Sequence, residues 1–244
     1  MPFSARRLVL LAVVPSIALV AAVLLYAAAP AAGQASHMKE HFSKIIEIQQ
    51  AVIRGDLDDV RAPARWFADH ERGAGLPDHA ERFVGEMRKA ASRAAEAKDL
   101  QEAAAAAGTL VAACGTCHAA VGYRPTLPEP SQPAVSGGTV GHMLAHQRAV
   151  DLLEAGLIAP SDSRWNEGAG ALKHAPLTRN QMPHDPALTN EIVAVEAQVH
   201  RLAEDAAKAK DAAGRGAIFG QLIGGCGQCH ALHGRVWGPG VPKQ

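Results

Sequence analysis

Aromatic side chains are scarce in this chain of 244 residues, at 4%, with three tryptophans and two tyrosines. A core filled by large rings is thereby excluded, and the 48% apolar content rests on small and aliphatic residues. Such a chain is too apolar to remain disordered, and its abundant alanine suits helices packed closely through small side chains. Net charge is also missing: 24 Lys and Arg balance 24 Asp and Glu. The two signs are interspersed, as on solvated helix faces, so no nucleic-acid partner is expected. Cysteine is the third scarcity. The four present form two close pairs, with none left over for a wider disulfide framework.

The first 35 residues depart from this pattern. Arg6 and Arg7 precede an apolar run from Leu8 to about Ala29, followed by A-A-P-A-A-G-Q-A-S. A basic start, an apolar middle and a small-residue tail describe a secretory signal, with cleavage expected near Ala32 or Ala35. The run also approaches the ~20 residues that span a bilayer, so an uncleaved membrane anchor is the alternative. Both readings put the rest of the chain outside the cytoplasm, with a periplasmic location expected.

The remainder contains itself twice. At an offset of 112, A-K-D-L-Q-E-A-A-A-A-A-G-T-L-V-A-A-C-G-T-C-H-A superimposes without a gap on A-K-D-A-A-G-R-G-A-I-F-G-Q-L-I-G-G-C-G-Q-C-H-A. At an offset of 105, S-H-M-K-E-H meets G-H-M-L-A-H, pairing His37, Met38 and His41 with His142, Met143 and His146. Trp66 and Trp165 hold comparable places between these blocks and read as core anchors. Each copy reads as four helices. In the first, one spans 36–53 and stops at Gly55, and the next spans about 57–71. The third opens at Asp78 with Glu81 in capping-box spacing, and the fourth at Asp99 with Glu102. In the second copy, Asp185-Pro186 opens the third helix. The expected fold is all-α, with two tandem four-helix bundles over 36–122 and 140–244. A proline-rich, extended linker over 123–139 joins them, and 1–35 is the signal or anchor.

On the fourth helix Leu110, Cys114, Cys117 and His118 fall at i, i+4, i+7 and i+8, a single face. Leu222, Cys226, Cys229 and His230 repeat the arrangement. Two thiols one turn apart can bond the two vinyl groups of a haem while the adjacent histidine reaches the iron, and C-x-x-C-H marks such c-type attachment. Gly115 and Gly227 are expected to let the macrocycle lie close to the backbone. A zinc site would need the two pairs adjacent, but 108 residues separate Cys117 from Cys226. A thioredoxin-like pair would follow a strand, and a plain disulfide leaves both histidines unexplained. Two haem c groups are therefore expected, one at the end of each bundle's last helix. Cys114, Cys117, Cys226 and Cys229 are the thioether positions, and His118 and His230 the proximal ligands.

A haem motif closing the last helix of a four-helix bundle resembles the cytochrome c-prime family, the class II c-type cytochromes, here as two domains in tandem. The resemblance implies haem packed among the helices with its distal face covered by the first helix, and it implies that homodimers occur. One departure stands out. The family carries a basic residue about a turn after the proximal histidine, where this chain has Gly122 and Gly234.

The sixth iron ligand decides the chemistry, since an open distal face favours small ligands and a strong ligand favours electron transfer. Counting back from Gly55 to the family's distal position lands nearest His41. In the second copy the count falls between His142 and His146. His41 and His146 are the expected distal ligands, with Met38 and Met143 as the alternative. His70, His79, His174, His184, His200 and His233 read as surface or capping residues, with His233 near the second haem edge. The expected function is single-electron transfer between redox protein partners, without enzymatic chemistry. The alternative is a five-coordinate haem that binds or senses a small gas such as nitric oxide.

Overall fold

The computed structural model describes residues 36–70, 76–132, 138–173, 177 and 186–237. The expected signal or anchor over 1–35, part of the linker (133–137), and His174, His184 and Asp185 lie outside the described residues. All regular structure among the described residues is helical. The helices are α1 (36–54), α2 (Leu57–Asp69), α3 (Glu81–Ala95), α4 (Leu100–Ala120), α5 (Gly138–Ile158), α6 (Asp162–Lys173), α7 (Pro186–Ala206) and α8 (Ala212–Trp237).

Local chemistry sets most of these boundaries. Gly55 ends α1 at φ +76°, a left-handed conformation that a side chain would strain. Asp99 caps α4 by accepting from the Glu102 amide at 2.8 Å, and Glu102 Oε2 reaches back to the Lys98 amide at 3.0 Å. At the other expected capping box, Asp78 does not open α3 directly. A 3-10 turn over Asp78–Ala80 intervenes, and the residue before α3 is Ala80, which has no side chain to cap with.

The described residues fall into two compact units. The first holds the opening turns of α1, to Phe42, and Leu76; within it the rings of His37 and His41 lie 4.3 Å apart. The second holds everything else and contains most of both copies of the repeat.

Within that second unit, α4 and α8 form the most extensive helix pair. They run antiparallel and nearly touch backbone to backbone. A Cβ at Gly108 would overlap the backbone at Gly216 and Gly220, and one at Gly220 would overlap Ala104. Gly108 and Gly220 are equivalent at the 112-residue offset, so each helix offers the same gap to the other. Around this pair, α3 packs on α4 and α2 on α3. On the other side α5 packs on α6, α6 on α7 and α7 on α8, and α5 also touches α8.

The two tryptophans differ in role. Trp165 is fully buried, donates from Nε1 to the Ala206 carbonyl at 2.7 Å, and carries the Arg215 guanidinium 5.3 Å from its ring. Trp66 is only half-buried and stacks on His70 at 3.8 Å, while its neighbour Phe67 enters the core. The expected equivalence fails because Trp165 lies in the first turn of its helix and Trp66 in the last. At the 105-residue offset, Trp165 corresponds to Val60, which is itself fully buried.

The α4–α8 contact has a direct stability consequence. Gly108→Ala should destabilise the protein by about 1–3 kcal/mol, because the opposing atoms are backbone and cannot swing aside. Gly85→Ala, where nothing lies within 4 Å, should stabilise it by about 0.5–1 kcal/mol. Denaturant midpoints of the two variants check both signs.

Candidate functional site

The C-terminal half of α8 turns Cys226, Cys229 and His230 into a cleft with about 860 Å³ of empty space, part of it open to solvent. Helix α7 adds Val195, Glu196 and Val199, and α5 adds His142, Met143, His146 and Val150. Ile53, from the end of α1, and Leu177 complete the apolar lining. The expected thioether and proximal positions of the second motif therefore share one cleft with His146, with its alternative Met143, and with His142.

The histidine of each motif is held by a backbone carbonyl. His230 Nδ1 lies 2.6 Å from the oxygen of Ile53, and His118 Nδ1 lies 2.7 Å from that of Ile158. A carbonyl can only accept, so Nδ1 carries the proton and Nε2 keeps a free lone pair, the tautomer that an iron ligand needs. Burial also lowers the His118 pKa, opposed by its hydrogen bond to Ile158, which keeps the ring neutral at neutral pH.

The glycines inside the cysteine motifs do something other than expected. A Cβ on Gly115 would collide with the Leu157 carbonyl oxygen, and one on Gly227 with that of Val52. They make room for the end of the other copy's first helix rather than for a macrocycle. In consequence α5 ends against the motif of α4, and α1 ends against the motif of α8.

Burial shapes the electrostatics of both motifs. The Cys114 and Cys226 thiols are pushed up to about 12 and Cys229 to about 11, chiefly by desolvation, and Cys117 is raised for the same reason. Thiols so far from ionising are poor redox nucleophiles, which argues against thiol–disulfide exchange here. His142 is lowered, first by desolvation, and its buried Nε2 has no hydrogen-bond partner. The His142 and His146 rings sit 4.2 Å apart, nearly repeating the His37–His41 pair.

Three further residues belong to this neighbourhood. His200 is not a surface residue: its ring stands 6.3 Å from that of His146, edge to face, and both ring nitrogens are buried. Its position four residues after Glu196, a lining residue of α7, was the available signal. His233 is half-buried, its pKa lowered first by desolvation and then by the charge of His230. Glu154 is buried beside Cys114 and pushed up to about 8, mainly by desolvation and next by Asp151. His70 ends α2, and its carbonyl accepts from Arg88 at 2.6 Å.

The donor set suits a c-type haem. It comprises two half-buried thiols one turn apart, an imidazole fixed through Nδ1, an unpartnered His142 Nε2 in the cleft, and an apolar lining. No family model, curated protein or solved structure matches the chain.

Glu154 makes the stability of the protein depend on pH. A carboxyl whose folded pKa is raised contributes full stability below its unfolded value of 4.5 and loses it as pH rises through about 8. Glu154→Gln, which installs the residue that the equivalent position Gln49 already carries, removes that dependence. The variant should match the wild type below pH ~5 and exceed it by on the order of a few kcal/mol above pH ~8. Thermal melts across that range check the crossover.

Proposed function

We propose that this chain is an exported two-haem c-type cytochrome, resembling two c-prime domains in tandem, that carries single electrons between redox protein partners. In this reading α1–α4 and α5–α8 are the two four-helix bundles. One observation carries it: Cys226, Cys229 and His230 share an apolar cleft with His142, Met143 and His146. A haem bound there supplies reversible one-electron chemistry at its iron.

Every other part of the task falls to the chain. Cys226 and Cys229 hold the group on α8, and His230 presents Nε2 because Ile53 occupies Nδ1. Ile53, Val150, Val195 and Val199 keep water from the site, and a dry, low-dielectric surround tunes the potential. Two histidines and a methionine in one cleft supply a sixth ligand, which favours a carrier over a gas-binding site. Cys114, Cys117 and His118 take the corresponding roles in the first bundle, with His41 or Met38 as its distal ligand.

The visible spectrum of the reduced protein tests this reading. Sharp α and β bands that carbon monoxide leaves unchanged are expected. A broad high-spin spectrum that shifts with carbon monoxide would replace the carrier with the gas-binding alternative. His146→Ala or His142→Ala should turn one of the two haems high-spin, whereas Met143→Ala should not. Cys226→Ala combined with Cys229→Ala should halve the covalently bound haem per chain.

A further inference from the structure

The two carbonyls that hold the proximal histidines are themselves equivalent. Ile53 and Ile158 are 105 residues apart, the offset that aligns His37, Met38 and His41 with His142, Met143 and His146. Each copy's first helix thus ends on the other copy's proximal histidine. For α5 both ends are in view. Its N-terminal half carries His142, Met143 and His146 into the second cleft, and its last residue accepts from His118 of the first. The span between these ends is about 24 Å at ~1.5 Å per residue.

Helix α5 is built to move as one piece. Beyond its end groups, it is wedged by backbone contacts that leave no slack. Gly115 admits the Leu157 carbonyl, Gly156 lies against the backbone of Trp165, and Gly168 of α6 lies against that of Ala149. Its N-terminal turns are freer, with Val140 at 64% and Leu144 at 40% exposure. A displacement at the free end therefore travels along the rod to the wedged end instead of being absorbed.

We propose that α5 is a connector between the two haem centres. The Ile158 carbonyl is a positioning group for His118, and the electron affinity of the first centre depends on the state of the second. The inference rests on the two-haem reading above. Its physical basis is the hydrogen bond at Nδ1. A stronger bond makes the imidazole a better donor to iron, favouring the oxidised state, and a weaker one favours the reduced state. The coupling is reciprocal, since a free energy of interaction between two sites belongs to both. The matching end of α1, at Ile53 and His230, gives the second proximal histidine the same kind of support from the other copy.

A pyridine haemochrome assay comes first, to separate the two ideas: anything other than two covalent haems per chain overturns the cytochrome reading itself. With two present, each midpoint potential is measured on the holoprotein by spectroelectrochemical titration. The first centre is identified as the one retained when Cys226→Ala and Cys229→Ala are combined. Gly115→Ala drives the end of α5 off α4. It should move both midpoints, the first upward, by up to about tenfold in the one-electron equilibrium, which is 59 mV. Gly170→Ala, with open space around it, should move neither. Movement of the first midpoint alone, or of neither, overturns the connector.

Should Gly115→Ala fail to fold, the double cysteine variant decides. Loss of the second haem should shift both the midpoint of the first centre and the paramagnetically displaced NMR resonance of the His118 Nδ1 proton. A midpoint shift without a change in that resonance means charge interaction through space. That result, like no shift at all, overturns the proposal.

Discussion

Two helices can reach backbone contact where a Cβ is missing, and α4 and α8 do so through the same glycine in each copy of the repeat. Gly108 and Gly220 let α4 and α8 cross antiparallel at a separation that any side chain would forbid. The remaining geometry follows from that crossing. It brings the cysteine motif of each copy to the end of the other copy's first helix. There Gly115 and Gly227 admit the Leu157 and Val52 carbonyls, and Ile158 and Ile53 meet His118 and His230. With a wider crossing those carbonyls would be out of reach and both imidazoles would be free to choose either tautomer.

Dryness is the second constraint, and it acts on the four thiols, on His118 and on their neighbours. It raises the thiols, lowers His118 and His142, and leaves Glu154 a neutral acid through much of the neutral range. For a ligand set this is the useful direction, because histidine binds metal when neutral and gains nothing from being charged. The same dryness gives Glu154 a stability cost that Gln49, in the equivalent place, does not incur.

Much of the helical framework was legible in the chain. The stop at Gly55, the capping box at Asp99 and the proline opening α7 are local devices that depend on three or four neighbouring residues. Where the local reading failed, packing had intervened. Trp66 yielded the core to Phe67, and His200 was turned inward toward His146. Spacing along a helix says which residues share a face, and says nothing of what that face meets.

The same division runs through the candidate site. The sequence by itself determined that Cys114, Cys117 and His118, and Cys226, Cys229 and His230, share helix faces, since residues three and four apart on one helix cannot do otherwise. It also determined that two copies of this arrangement exist. Only the tertiary structure decided that His142, Met143 and His146 enter the cleft of α8, and that His118 and His230 each lean on the opposite copy. The His230–Ile53 bond joins positions 177 residues apart. It runs to a backbone carbonyl, which has no residue identity to read, and only the close crossing of α4 and α8 brings it within reach.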